Sequence, residues 1–232
     1  KIAEEIMKNF DFDGTFIERC EIAGPGFMNF YLSDKFYTQN LLTALKLGED
    51  YGKTNMGNGA KVNVEYISAN PTGPMHIGNA RGGAIGDCMA NILSWAGYDV
   101  TKEFYVNDAG NQIEKFAVSL EARFLQLVLG EDAVEFPEDA YKGEDITEAM
   151  REFIKEHGHE KYIDMPSNER KKIFADYALQ KNLAGLVRDT ENYGIKYDVW
   201  FRESELHKNG KVMEVVEKLK SNGLAYEKEG AV

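Results

Sequence analysis

Val64-Glu65-Tyr66-Ile67-Ser68-Ala69-Asn70-Pro71-Thr72-Gly73-Pro74-Met75-His76-Ile77-Gly78-Asn79 is the stretch on which the reading of this sequence turns. Its first residues complete an alternating run, Lys61–Ser68, that reads as a strand. Its last residues open a helix placed from about Asn79 to Ala96, with Ile85, Met89, Ile92, Leu93 and Ala96 at helical spacing and Gly97 as its stop. In the turn between them Pro71 and Pro74 stiffen the chain, while Gly73 and Gly78 let backbone approach a ligand closely. Ligands bind a parallel sheet beyond the carboxyl ends of its strands, and a helix N-terminus offers free N–H groups and partial positive charge to phosphate. His76, just ahead of the helix, adds a side-chain donor. The residues point to a site for a nucleotide-type anion. The alternative is a packed strand-to-helix turn in which Gly and Pro serve geometry only.

Working outward, Asp99–Val106 reads as a second strand and Asn111–Leu129 as a second helix. Strand, helix and strand make a βαβ unit, which implies a parallel sheet with a right-handed crossover. Residues 131–165 interrupt the pattern as an insertion with one helix near 145–157. A long helix, Ser167–Tyr193, follows, then a short strand at Asp198–Phe201, a helix over 210–221 and a last strand at Leu224–Glu227. Towards the start, residues 1–10 read as the end of a helix with Ile2, Ile6 and Met7 on one side. Strands Phe16–Ile22 and Phe27–Leu32 flank the turn Ala23-Gly24-Pro25-Gly26. Ser33 can cap a helix from Asp34 to Leu47, with Phe36, Leu41 and Leu45 inward and Gly48 closing it. The expected division is 1–33, a small α+β piece; 34–60, a connecting helix and loop; and 61–232, an α/β domain.

The chain has 232 residues, a formal charge of −12, 43% hydrophobic and 28% charged residues. That composition is globular, and it excludes fibrous and disordered classes. The most apolar stretch, Phe116–Gly130, is interrupted by Glu121 and Arg123, so no membrane span is expected. Lys1–Phe10 does not read as a signal peptide, and the missing initiator Met suggests a piece of a longer chain. Cys20 and Cys88 are too few for a disulfide framework. The expected setting is soluble and cytoplasmic. Residues 131–148 hold eight carboxylates against Lys142, a block expected to be a solvated loop. Net acidity does not exclude RNA binding, which depends on the local face.

Two decoys can be set aside. Gly48-Glu49-Asp50-Tyr51-Gly52-Lys53-Thr54 resembles a phosphate loop, but it has too few residues between its glycines and follows a helix instead of a strand. His157 and His159 lack ligand-spaced acidic or Cys partners, so no metal site is expected.

The quoted stretch also resembles the HIGH signature of class I aminoacyl-tRNA synthetases. The longer run VEYISANPTGPMHIGNARGGAIGDCMANILSWAGYDV followed by VNDAGNQI is similar to bacterial arginyl-tRNA synthetases. IAGPGFMNFYL near the start, EDAYKGEDI in the middle and DVWFRESELH near the end agree with it in the same order. The resemblance implies a Rossmann-like parallel sheet with a HIGH-type nucleotide site, a helical insertion near 131–165, and a remnant of the tRNA-contacting N-terminal domain at 1–33. Residues 61–232 would be the first part of the catalytic domain. The signature's final His is Asn79 here, which can donate to phosphate but carries no positive charge. The second, lysine-rich signature and the anticodon-binding domain have no counterpart in these residues, so the piece alone is expected to be folded and catalytically silent.

Such an enzyme activates L-arginine with ATP and Mg²⁺ and passes it to tRNA(Arg), and the parent is expected to be a monomer. By resemblance, Thr72, Gly73, Pro74, His76, Gly78 and Asn79 would contact ATP, with His76 and Asn79 stabilising charge on its phosphates. Ser68 and Asn70 would orient the arginine backbone. A guanidinium calls for carboxylates in fork geometry, and Glu65 and Glu203 are the candidates. Glu65 could instead face solvent, and Glu203 could pair with Arg202 or another neighbour. Asp108, Asn111 and Gln112 follow the second strand and could line the same crevice. A small nucleotidyltransferase with an HxGH-type site and a non-catalytic synthetase relative are the other classes considered.

Overall fold

The computed structural model describes residues 1–228. The chain divides into two compact units, residues 1–54 and the remainder from Asn55. The first holds helix α1 (Ile2–Asn9), strands β1 (Ile17–Ala23) and β2 (Phe27–Leu32), and helix α2 (Asp34–Leu47). β1 and β2 pair antiparallel, with Cys20 opposite Phe30. Gly24 (φ 56°) and Gly26 (φ 127°) make the turn between them, a conformation that L side chains resist. On α1 it is Ala3 that is buried, while Ile2 and Ile6 are exposed. On α2 no residue is buried; Phe36 meets Phe16 at 5.7 Å, but Leu41 and Leu45, expected inward, are exposed. Gly48 ends α2 with its N–H on the Ala44 carbonyl, so the phosphate-loop decoy is a helix end and a turn.

The second unit is built on a parallel sheet of β3 (Lys61–Glu65), β4 (Asp99–Val106) and β5 (Val199–Arg202), in that spatial order. Glu65 stands beside Glu103, and Tyr105 beside Phe201. Helix α3 (Ile77–Trp95) links β3 to β4. Between β4 and β5 run α4 (Asn111–Leu129), α5 (Glu144–His157), α6 (Glu160–Ile163) and α7 (Ser167–Asn192); α8 (Glu203–Lys208) and α9 (Lys211–Ser221) follow β5. Leu224–Glu227, expected as a last strand, forms none among the described residues.

Strand order fixes where the helices go. Both crossovers step in the same direction across the sheet, so right-handed connections bring α3 and α7 to one face. That face carries the even-numbered residues of β4: Lys102 reaches Asp87 of α3 at 2.7 Å, and Phe104 packs with Leu186 of α7. The other face carries Asn63, Glu65, Thr101, Glu103, Tyr105, Val199 and Phe201, none of them buried.

The side of α3 that meets the sheet is not the one its apolar pattern suggests. Ile85, Met89 and Ile92 are exposed, and the buried residues are Gly83, Gly86 and Ala90. A Cβ on Gly83 would stand 2.9 Å from both Ile67 Cδ1 and Ile195 Cδ1, and one on Gly86 would overlap the Tyr66 ring. The helix is seated by its small residues.

A second core joins helices on both sides of the expected insertion to the segment within it, which holds two helices, α5 and α6, where one was expected. Phe116, Leu120 and Phe124 of α4 pack with Met150 and Phe153 of α5 and Phe174 of α7. Arg170 is buried there: Nε donates to Glu121 (2.9 Å) and Nη1 to the carbonyls of Tyr162 and Ile163 (2.9 Å each). Removing one member of such a pair is far costlier than the pair's net worth. The acidic block is irregular after a single 3₁₀ turn at Glu131–Ala133, then supplies the first turn of α5, where Glu144 and Asp145 suit the helix dipole.

Gly86→Ala should destabilise the second unit by ~1–3 kcal/mol, because overpacking against Tyr66 outweighs the ~1 kcal/mol gain in helix propensity. Gly82→Ala, where an added Cβ meets nothing within 4 Å, should be neutral or stabilising. Urea unfolding of the two variants side by side measures the contrast; equal effects would show that α3 is not seated on Tyr66.

Candidate active site

The turn after β3 begins with two residues in the left-handed region, Ile67 (φ 66°) and Ser68 (φ 45°). For a β-branched residue this is strained, at ~1–3 kcal/mol, and persists only where the surroundings over-determine it. They do. The Tyr66 carbonyl accepts from Ser68 N–H (3.0 Å) and from Tyr197 Oη (2.9 Å), and Ser68 Oγ accepts from Tyr105 N–H (3.0 Å). Tyr66 Oη donates to Asp87 (3.2 Å), which also holds Lys102. Burial pushes the Tyr66 phenol well above its ordinary range, and the Asp87 carboxylate adds to it. Beyond the kink the chain crosses the carboxyl end of the sheet; Pro71 and Thr72 are buried, and Asn182 Nδ2 donates to the Pro71 carbonyl at 2.9 Å.

At the start of α3, His76 and Asn79 cap the helix together. His76 Nδ1 accepts from Gly78 N–H (3.1 Å), and Asn79 Oδ1 accepts from His76 N–H (3.0 Å). This is a capping-box arrangement with His at the cap position. An accepting Nδ1 places the ring proton on Nε2. The donor ends, His76 Nε2–H and Asn79 Nδ2, are the ones the cap does not use. Gly78 has its own steric role, since a Cβ there would lie 2.9 Å from His76 Cε1 and 3.0 Å from Nδ1 and displace the ring. His76, Ile67 and Met75 line a hollow of about 270 Å³ closed by Thr190 of α7 and Tyr193 just beyond it.

The strand ends supply the remaining candidates. Glu65, Tyr105 and Glu203 fall on the uncovered sheet face. Burial raises the Tyr105 phenol, the Glu203 carboxylate raises it further through its charge and a hydrogen bond, and the charge of Glu65 adds to it. Glu65 is exposed; the Glu203 side chain is 26% exposed, with His207 Nε2 at 3.8 Å and, with the Asn107 amide assigned so that its NH₂ meets acceptors, Asn107 Nδ2 at 3.0 Å. On the covered side, Asp108 accepts from Ser204 N–H (2.8 Å) and Ser204 Oγ (3.0 Å). Asn70 Nδ2 donates to Gln112 Oε1 at 2.7 Å, which ties the first turn to the start of α4. Asn111 lies exposed.

Asp108, Pro71, Arg202 and Lys208 line a crevice of about 220 Å³, which shares no lining residue with the His76 hollow. The candidate residues therefore gather at one sheet edge in three neighbouring settings: the capped helix start, the clamped strand ends and the carboxylate pair. Tyr105, Asn107, Ser204 and Tyr197 were missed in the sequence. Asn107 stands directly after β4 and Ser204 two residues after β5, positions that could have marked them.

Comparison with known proteins gives the family context. Residues 40–232 match the family model described as tRNA synthetases class I (R), catalytic domain, and residues 1–32 match the arginyl tRNA synthetase N terminal domain. An arginine–tRNA ligase of Ruminiclostridium cellulolyticum is 56% identical over 232 residues, covering 100% of this chain and 41% of that protein. The arginine–tRNA ligase of Bacillus subtilis is 45% identical over 231 residues, with 100% and 41% covered. A crystal structure assigned as an arginyl-tRNA synthetase from Campylobacter jejuni superposes with a TM-score of 0.73 at 34% identity, covering 86% of this chain and 42% of that one. The chain spans about 41% of the length of these curated relatives.

Nitrogen-15 spectra at neutral pH should find His76 protonated on Nε2 and bare at Nδ1. Gly78→Ala should remove that preference by pushing the ring off the Gly78 amide. A dominant Nδ1–H form in the unaltered chain would refute the cap.

Proposed function

The chain belongs to the class I arginyl-tRNA synthetase family, and from that premise we propose that the protein carrying it joins L-arginine to tRNA(Arg) at the expense of ATP. The arginine carboxylate attacks the α-phosphate of ATP, the bond to the β-phosphate breaks, and pyrophosphate leaves. The terminal ribose hydroxyl of the tRNA then attacks the arginyl carbonyl and AMP departs. Chemistry of this kind depends on positioning and on donors aimed at developing charge more than on a nucleophilic side chain.

The observation that carries this reading is the capped start of α3 at the carboxyl edge of a parallel sheet. His76 Nε2–H and Asn79 Nδ2, both free of the cap, would meet the phosphates beside the helix N-terminus, with Mg²⁺ entering as the counter-ion of ATP. Thr72, Gly73 and Pro74 would form the adjoining wall, and Gly78 would keep the His76 ring in place. Glu65 and Glu203, whose charges both raise the Tyr105 phenol, would hold the guanidinium. Ser68 keeps its hydroxyl proton after accepting from Tyr105 N–H, and Asn70 keeps its carbonyl oxygen after donating to Gln112. They would orient the substrate carboxylate and ammonium respectively. Residues 1–33 would contact the tRNA as the end of an N-terminal domain, with 34–60 connecting to a catalytic domain that begins at 61. The protein would act as a cytoplasmic monomer; no helix of the described residues is long and apolar enough to cross a membrane.

Adenylate formation in the full-length protein tests the assignment. Asn79→Asp keeps an acceptor for His76 N–H but sets negative charge at the phosphates, and should lower the rate by ~10²–10³. Asn79→His should be tolerated. An Asp variant with unaltered rate would remove Asn79 from the phosphate site.

Glu65→Gln and Glu203→Gln should each raise the arginine KM by about tenfold or more, with less effect on ATP, since a hydrogen bond to a charged group contributes ~1.5–3 kcal/mol. Unchanged arginine KM in both would dismiss the pair.

A further inference from the structure

We infer that Asn107 is a positioning residue for arginine recognition, acting through Glu203 and touching no substrate itself; this rests on the reading of Glu203 given above. Asn107 is the first residue beyond β4, and Glu203 the first beyond β5. Val106 and Arg202 are the last registered pair of these neighbouring strands, so the two side chains emerge side by side where the ladder ends. With its NH₂ facing Glu203, Asn107 donates to Glu203 Oε2 at 3.0 Å and to the Ala109 carbonyl at 3.1 Å. Both amide hydrogens are thereby used, one on the carboxylate and one on the backbone that anchors Asn107 in turn. On the other carboxylate oxygen, Oε1, His207 Nε2 stands at 3.8 Å, beyond hydrogen-bond length.

Glu203 therefore has Oε2 held by Asn107, and its carboxylate is also engaged by the Tyr105 hydroxyl, whose phenol it raises. That matters for a guanidinium. Its planar fork is met well only by carboxylates whose planes are already set, whereas a point-like ammonium makes no such demand. The neighbouring clamp, Asp108 to Ser204 N–H and Oγ (2.8 and 3.0 Å), fixes the backbone after β5 and leaves the Glu203 side chain alone. Asn107 governs the side chain and Asp108 the main chain, so the two can be separated by mutation. An Asp at 107 would lose the donor and repel Glu203.

The test is steady-state kinetics of the full-length protein carrying Asn107→Ala, Asn107→Asp, Glu203→Gln and the Asn107→Ala/Glu203→Gln double change, with Ser204→Ala as a clamp control. The expected result is an arginine KM about tenfold higher for Asn107→Ala and higher still for Asn107→Asp. The ATP KM and melting temperature should stay near those of the unaltered protein. Asn107→Ala should add less than about twofold on the Glu203→Gln background, because a group acting only through Glu203 has nothing left to orient. Ser204→Ala should lower the melting temperature without separating the two KM values. Proportionate rises in both KM values, additive effects in the double variant, or an unchanged arginine KM in Asn107→Ala would overturn the inference. If Glu203→Gln raises the arginine KM and Asn107→Ala does not, this inference alone fails; if Glu203→Gln has no effect, the reading beneath it fails.

Discussion

A helix can approach a sheet only as closely as the side chains between them allow, and much of the second unit follows from how closely α3 comes. Gly83, Gly86 and Ala90 set its backbone against Tyr66 and Ile67, nearer than any larger side chain would permit. At that distance Asp87 can collect Tyr66 Oη, Lys102 Nζ and Asn91 Nδ2 in one half-buried network between helix and sheet. The same seating fixes the end of β3, since Tyr66 is held at its hydroxyl by α3 and at its carbonyl by Tyr197. Ile67 and Ser68 can then remain left-handed, and the chain turns sharply enough to bring His76 to the start of α3. Packing stabilisation offsets the local strain, and the strain sits where a ligand would bind.

The sheet shows a complementary constraint. With three parallel strands ordered in sequence and right-handed crossovers, both connecting helices fall on one side. Beside that polar network the covered side packs aromatic rings, with Phe104 stacked on Trp200 at 4.4 Å and Tyr197 edge-on to Phe104. The opposite side carries Glu65 and Glu203 around Tyr105. Parallel sheets are ordinarily buried on both faces, so the polar character of this one is informative: it holds the residues proposed to recognise a cation. Strand parity thus separates the helix-packed face, on even-numbered residues of β4, from the face that carries Glu65 and Tyr105.

Capping links these parts to chemistry. The HIGH-type signature reads in sequence as a set of phosphate ligands. In the structure its polar groups first satisfy one another, with His76 Nδ1 and Asn79 Oδ1 meeting the orphan amides of the helix start. What remains for a ligand is decided by what the cap consumes. Asn at position 79 fits this logic, because one end of its amide serves the cap and the other stays a donor without carrying charge. Gly78, read in sequence as room for a nucleotide, is also the space that the His76 ring needs.

Much of this was legible in the sequence by itself. Period-two and helical patterns, the Gly24-Pro25-Gly26 turn and the glycine stops placed most elements within a residue or two, and strand–helix alternation implied a parallel sheet; the short helices α6 and α8 were not expected, and β3 ends three residues before the expected Ser68. Those signals are local, so a single sequence carries them. Orientation was less secure. Ile85, Met89 and Ile92 form an obvious apolar stripe, yet α3 buries its glycines, because periodicity shows that a helix has faces while the shape of the partner selects one. Leu41 and Leu45 misled in the same way. Only the tertiary structure decided that Asn107 meets Glu203, that Asp108 meets Ser204, and that Ile67 and Ser68 hold a disfavoured backbone. The first two depend on register between strands separated by four helices, and the third on clamps from Tyr105 and Tyr197; all are fixed by packing across the unit and written in no local stretch of residues.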